Sequence, residues 1–329
     1  MTISIQEKLK RFYSQFTGED QVLITINADP DAIACSMAIK RILWRKVGNV
    51  TISNINVVKR PDNIAMIELL GVKLVYVDQI KKEDFTKFVI VDSQPDHNEK
   101  FTQFAYNAII DHHPVSFDKA PFVDIKPKYG SAAALLTEYL RAAKIKPSIK
   151  LATALFYAIK TDTCNFEGKS SNEDVRAFQF LFRRANIHLA RKIEQSEISM
   201  DFLKYFKLAL QEKSIRRKRI FAHLGSVVNP DVCVLVADFF MKVHTINWSI
   251  VSGIYNKTLI IIFRNDGLRR DAGKVASGSF GKLGSAGGHK NMARAEISVP
   301  DLKDIVDIKD SKKLSTWIIT RVEKRAESK

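Results

Sequence analysis

Cysteine is scarce. Only Cys35, Cys164 and Cys233 occur among the 329 residues, and no two stand at C-x-x-C spacing. That excludes a disulfide framework and a cysteine zinc knuckle, and makes a reducing cytoplasm the expected compartment. Long apolar runs are also missing. LITI, FVIV and TLIIIF are strand-length, well short of the roughly 18 residues that cross a bilayer, so no membrane partner is expected. The opening MTISIQEKLKRFYSQF has neither a hydrophobic core segment nor a small-residue cleavage site. It reads as an amphipathic first helix, not a secretory leader.

What is abundant is positive charge. Lysine and arginine number 52 against 36 acids, a formal net charge of +16, which points to polyanionic partners such as nucleic acid or nucleotides. At roughly 150 residues per domain the length suggests two domains.

The first half alternates short β-branched runs with helical patterns, the mark of an α/β fold with a parallel sheet and flanking helices. Strands are expected at QVLITIN, VTISNINVV, KLVYVD, KFVIVDS and NAIIDHH, with helices over 32–47, 63–70, 131–143, 149–161 and 172–181. Residues 188–218 read as one long charged helix ending in the basic run at 216–219, a helical linker assigned to 191–217. The smaller C-terminal α/β domain, 218–329, contains apolar strands at VCVLVAD, TLIIIF and ARAEISV. It also has a glycine-rich loop, ASGSFGKLGSAGGH, and a last helix from about residue 311.

In open parallel sheets ligands bind beyond the carboxyl ends of the strands. Here those ends are acidic: LITIN runs into Asp29 and Asp31, FVIVD ends in Asp92, AIID ends in Asp111 followed by His112 and His113, and the helix ALFYAIK delivers Asp162. Close carboxylates repel by about 4 kcal/mol per pair at an effective dielectric near 20. A cluster of them therefore needs positive charge, and carboxylates with imidazoles suit divalent ions of the Mn, Mg or Zn range. Asp29 and Asp31 could each reach a different ion while Asp92 bridges both, as in sites that clamp the two oxygens of a phosphoryl displacement.

NADPDAIACSMA, VDSQP, DHHP and TDTCNF, in that order, resemble the four motifs of the DHH phosphoesterase superfamily. GSAGGHKNMARAEI resembles the glycine-rich signature of its associated C-terminal domain. The resemblance implies a DHH catalytic domain over 1–190 in which Asp29 binds the first metal, Asp31, His112 and Asp162 bind the second, and Asp92 bridges them. It further implies that His113 faces the substrate phosphate and that Asp111 orients an imidazole. Arg264, Gly287, Gly288, His289 and Arg294, with Lys290 nearby, are implied to hold substrate. Many relatives carry a histidine ligand where this chain has Thr25, with Asn27 nearer the site, so a looser first metal is expected.

The implied activity is a manganese-dependent phosphodiesterase, with magnesium as the alternative ion, acting on short oligonucleotides or dinucleotides as nanoRNases do. Such enzymes also dephosphorylate a nucleoside 3′,5′-bisphosphate. A cyclic dinucleotide phosphodiesterase, a single-strand exonuclease and a catalytically weakened nucleotide-binding regulatory module are the alternatives; homodimerisation stays open. Trp44 and Trp317 read as core residues, Cys164 as a small packing residue, and His97, His188, His223 and His244 as histidines without a ligand role.

Overall fold

The computed structural model describes residues 3–195, 198 and 200–327. The chain divides into two compact units, Met1–Glu197 and Ile198–Lys329. Unit one opens with α1 (Ile5–Tyr13), whose buried Phe12 packs edge-on against Phe122 and Tyr139. There follow β1 (Gln21–Ile26), α2 (Pro30–Ile42), β2 (Asn49–Asn54), α3 (Pro61–Leu70), β3 (Val75–Tyr76), β4 (Lys87–Val91), β5 (Ala108–Asp111) and β6 (Phe122–Ile125). Helices α4 (Ala132–Ala142), α5 (Ile149–Asp162), α6 (Asn172–Phe182) and α7 (Ile187–Glu194) complete it.

The six strands make one parallel sheet in the order β3-β2-β1-β4-β5-β6. The chain starts in the middle, winds outward through β2 and β3, and returns to lay β4 on the other edge of β1. Where the winding reverses, the carboxyl ends of β1 and β4 lie side by side and open a crevice. Both faces of the sheet are apolar, as a sheet covered on both sides requires. Val22, Ile24 and Ile26 pack with α2, α4 and α5, while Leu23 meets Phe88, Phe101 and Tyr106 behind the sheet.

One buried carboxylate joins the starts of two helices. Asp174 accepts hydrogen bonds from the Gly130 and Ser131 N–H groups at 2.7 and 3.1 Å, and from the Ser131 hydroxyl at 3.0 Å. It also accepts from the N–H and hydroxyl of Ser171, its own helix cap, at 2.8 and 2.6 Å. Helices α4 and α6 therefore start together. A Cβ on Gly130 would stand 2.5 Å from the Lys169 carbonyl, so only glycine lets the chain pass here.

Unit two contains α8 (Leu203–Glu212), β7 (Ser214–Arg216), β8 (Arg219–Ser226), α9 (Asp231–Met241), β9 (Trp248–Tyr255), β10 (Thr258–Asn265), α10 (Ala272–Phe280), β11 (Ser285–Gly288), β12 (Met292–Ser298) and α11 (Ser311–Glu327). Its sheet runs β11-β12-β10-β9-β8-β7, antiparallel except for the β8–β9 pair that α9 connects. One face packs α8 and α9, the other α10 and α11. No helix among the described residues is long and apolar enough to cross a membrane.

Several expectations are corrected. The helical linker over 191–217 is not continuous: α7 ends at 194, residues 196, 197 and 199 lie outside the described residues, and α8 gives way to β7. The basic run is a two-residue hairpin turn with Arg217 and Lys218 at φ 47° and 66°, because charge periodicity imitates a helix where backbone pairing decides otherwise. VCVLVAD is helix α9, not a strand. Short apolar runs are ambiguous between the two, and here Val232, Cys233, Val236, Ala237 and Phe240 bury one helical face behind Pro230. The glycine-rich segment is not a loop but α10, a turn and β11. Gly273, just before the segment, and Gly284 within it lie so close to the Gly288 and Glu296 carbonyls that a Cβ would fall within 2.4 and 2.2 Å. Trp44 is 62% exposed and Cys164 is exposed, so neither is a core residue; Trp317 is half-buried against the second unit's core.

Removing the Asp174 carboxylate frees donors at the start of both helices. The Asp174→Ala variant is expected to lose about 3 kcal/mol of unfolding free energy, read as a lower urea midpoint; a loss below about 1 kcal/mol would contradict the joint-cap role.

Candidate metal centre

The crevice at the sheet reversal gathers side chains from four elements. Asp29 and Asp31 stand at the start of α2, just past β1. Asp92 follows β4, His112 follows β5, and Asp162 is the last residue of α5. One ligand atom each from Asp31, Asp92, His112 and Asp162 lie within 4.8 Å of one another. His112 Nε2 is 3.2 Å from both Asp92 Oδ1 and Asp162 Oδ2, and 3.9 Å from Asp31 Oδ2.

Each member is held from outside the group. Asp31 is fully buried and accepts the free N–H groups of Ala132 and Ala133 at 2.6 and 2.9 Å. The N-terminus of α4, with its partial positive charge, thus points at the carboxylate. Asp92 has φ 57°, left-handed backbone that a non-glycine residue seldom adopts. Such strain persists where surrounding structure enforces it, and here the Asp92 N–H is fastened to the Ile110 carbonyl at 2.9 Å. Behind His113, Asp111 is buried and accepts from His113 Nδ1 and the His112 N–H, both at 2.8 Å, and from Gln94 Nε2 at 2.7 Å.

Burial is the main force on the acids. It raises Asp31 well above the usual carboxylate range, with the charge of Asp162 adding to it, and raises Asp92 likewise beside Asp31 and Asp29. It pushes Asp29 up to about 6, aided by Asp162. Burial pulls the His112 imidazole down, but the facing carboxylates of Asp162 and Asp92 outweigh it and push it up to about 12. Asp111 goes the other way. Burial would raise it, yet its bonds from His113 and Gln94 hold it below the ordinary value.

The residues fit a divalent cation. Asp92 Oδ1 and His112 Nε2 are buried and face each other without a hydrogen-bond partner, an arrangement costly unless something else joins them. Carboxylate oxygens with one imidazole are the donor set of Mn or Mg with Zn as a neighbour. The cation's absence and presence have opposite pH consequences. A carboxyl whose folded pKa is raised contributes stability below its unfolded value that is lost as pH rises through the folded one.

The structure does not gather every predicted ligand. Asp29 stands beside the group of four, its carboxylate capping α2 through the Ala32 N–H at 2.9 Å. Thr25 is not a ligand: its hydroxyl lies 2.9 Å from that of Tyr106 in the cluster behind the sheet. Asn27 is exposed.

Two residues were missed. Gln94, fully buried, also donates to the Pro114 carbonyl at 2.9 Å and accepts from the Ser116 and Phe117 N–H groups at 2.7 and 2.9 Å. It thereby clamps the turn after His113. His97, read as lacking a ligand role, has its ring 5.5 Å from that of His113, and a nitrogen of each groups with an Asp111 oxygen. The only sequence cue was their place in VDSQPDH directly after Asp92. The other three histidines fit the reading: His188 and His244 are exposed, and His223 is buried, bonded to Ser252 at 2.9 Å, with burial lowering it to about 4.

In unit two, Arg294 is opposite Gly287 on β11 and diagonal to Arg264 on β10, so all three share one face of the sheet. Arg264 pairs with Asp238 and Arg294 with Glu296, each at 2.7 Å. Nothing lies within 4 Å of where a Gly287 Cβ would stand, Gly288 has φ 150°, and His289 and Lys290 are exposed.

Without divalent cation, melting temperature should fall as pH rises from about 4 through 6 because of Asp29. Above 6.5 it should fall further as the His112 contribution begins to be lost. Manganese should restore it, most at the higher pH. Asp92→Asn should raise the cation-free melting temperature at pH 7 while removing the manganese response. A cation-free melting curve independent of pH, or an Asp92→Asn protein that still responds to manganese, would contradict this electrostatic account.

Comparison with known proteins gives the same frame. The model of the DHH family, N-terminal domain, matches residues 21–159. An uncharacterized protein of Methanocaldococcus jannaschii is 32% identical over 294 residues, covering 89% of this chain; the chain spans 61% of that relative's length. Among solved structures, an exopolyphosphatase-related protein from Bacteroides fragilis superposes with TM-score 0.69 at 14% identity, covering 98% of each chain. A pGpG-specific phosphodiesterase from Vibrio cholerae superposes with TM-score 0.45 at 13% identity, covering 91% of this chain and 99% of that one. The crevice acids and the Asp111-His112-His113 triplet lie within or next to the matched segment, so the likeness to the N-terminal domain of the DHH family is a statement about residues 21–159.

Proposed function

We propose that this chain is a divalent-cation-dependent phosphoesterase that hydrolyses short oligonucleotides or dinucleotides, with manganese as the working ion. The observation that carries the reading is the group formed by Asp31, Asp92, His112 and Asp162, with two buried ligand atoms left unpartnered. The match of residues 21–159 to the DHH family N-terminal domain and the net charge of +16 support it.

A divalent ion there supplies a Lewis acid for a phosphoryl oxygen and a lowered pKa for water. The chain's own residues do the rest. His113 Nδ1 is committed to Asp111, so Nε2 of this half-exposed ring is the atom offered to a phosphate oxygen. Asp111, kept ionised by Gln94 and His113, fixes that tautomer and the ring's direction. Gln94 holds the turn so that the imidazole does not swing. Arg264 and Arg294 are assigned to exchange their carboxylate partners for substrate phosphates, with the open backbone at Gly287, Gly288 and His289 beside them.

The ligand set for a first ion is thinner than the resemblance implies, since Thr25 is turned away and Asp29 serves as a helix cap. Calorimetric titration with manganese is therefore expected to show one tight and one weaker site; two equally tight sites would refute this. The activity is tested with a manganese-dependent panel of strands from two to about twenty nucleotides, plus a nucleoside 3′,5′-bisphosphate and pyrophosphate. Di- to short oligonucleotides should be cleaved best, and His113→Ala should lower kcat by roughly 10²–10³-fold. Preference for the longest strands, or no cleavage of any substrate, would overturn the reading.

A further inference from the structure

Trp44 is the largest side chain that unit one leaves in water, 62% exposed. The Arg45 guanidinium lies over its ring, 5.9 Å from the centroid, so the indole already offers a face to a planar group. It forms one wall of a groove of about 460 Å³ whose apolar surface includes Met37, Val72 and Leu151. That volume lies inside the range of about 300–1,000 Å³ in which small ligands are bound.

The polar part of the lining is one-signed. Lys40 and Arg41 come from the last turn of α2 and Lys73 from the turn after α3, and no carboxylate lines the groove. All three are exposed, and none forms an ion pair among the described residues. Ser148, which caps the N-terminus of the 14-residue α5, is at the same groove, where the C-terminal ends of α2 and α3 oppose that helix's dipole, so the pull on an anion rests on the three cationic side chains. Asp31 and Lys40 are nine residues apart on α2, about 14 Å at 1.5 Å per residue. The groove is therefore separate from the carboxylate group.

We propose that this groove binds the nucleotide unit, stacking a base on Trp44 and holding its phosphates on Lys40, Arg41 and Lys73. An indole face accepts any base and lysine or arginine accepts the backbone, the combination used by single-strand binding surfaces. The same chemistry is offered by an oligonucleotide strand and by a free nucleotide. A second copy of the chain is a poorer occupant, because a self-complementary contact sets the same cations against one another.

The test is independent of the hydrolytic reading, because binding is measured on the full chain in EDTA. Fluorescein-labelled (dT)12 is titrated by anisotropy, and adenosine 5′-monophosphate by quenching of tryptophan fluorescence. Trp44→Ala is expected to weaken (dT)12 about tenfold or more, the loss of one stacked base, while Trp44→Phe retains most of the affinity. The double variant Lys40→Ala with Arg41→Ala should flatten the dependence of log Kd on log salt by about 1.4, two phosphates at about 0.7 each. Binding of (dT)12 with these effects identifies a strand as the source; binding of adenosine 5′-monophosphate alone, lost in Trp44→Ala, identifies a free nucleotide. The proposal is overturned if neither probe binds, if the variants bind as the wild type does, or if sedimentation shows a dimer that Trp44→Ala dissociates.

Discussion

Like charges buried side by side are the constraint around which unit one is built. Four acids and an imidazole share the crevice beyond β1, β4 and β5, with Asp31 and Asp92 buried. Two of these acids, and Asp111 beside them, are made tolerable by different neighbours. Asp31 takes two N–H groups at the start of α4, Asp29 takes one at the start of α2, and Asp111 is wrapped by Gln94 and both histidines of its triplet. What these neighbours leave undone is concentrated on Asp92 Oδ1 and His112 Nε2. The demand for a cation is thus placed at one point in the crevice.

The helices carry that constraint through the unit. Helices α2 and α4 turn their positive ends to the acids, which their dipoles favour. Helix α5 brings Asp162 on its negative end, so that helix's own dipole does nothing to offset the charge. Joining the starts of α4 and α6 through Asp174 fixes where the α4 N-terminus sits, and with it where the Asp31 carboxylate is held. A surface-remote cap and a crevice acid are in this way one mechanical assembly.

The parts legible in the sequence are those where an apolar run stops at a charge. β1, β4 and β5 are hydrophobic on both faces, so the acids that end them stand out, and the helices between them follow ordinary spacing. Asp92, His112 and Asp162 could be read this way because the topology puts strand ends together. Gln94 and His97 could not, because a neutral amide and a single imidazole acquire meaning only from partners brought in by folding, Asp111 and His113. β6, β8 and β9 are not legible in the sequence, and α9 reads as a strand, for a related reason. Strands β8 and β9 are buried on both faces, which erases periodicity, β6 is only four residues long, and the apolar run of α9 is too short to separate helix from strand, so the neighbours that settle the question lie far along the chain. Trp44 fails in the opposite sense: its spacing suits a core position, but the helix ends before the core does.

The left-handed backbone at Asp92 limits what can stand there. Asparagine and glycine take such a conformation with little strain, whereas alanine and the β-branched residues do not. Both tolerated residues lack a negative charge, and each is one base change from an aspartate codon. The substitutions that position 92 accepts most readily as structure are therefore those that strip the crevice of the charge a cation there most needs. A lineage leaving cation binding behind would find this exit open at little cost to the fold, and what remained would be a folded protein with its other surfaces intact.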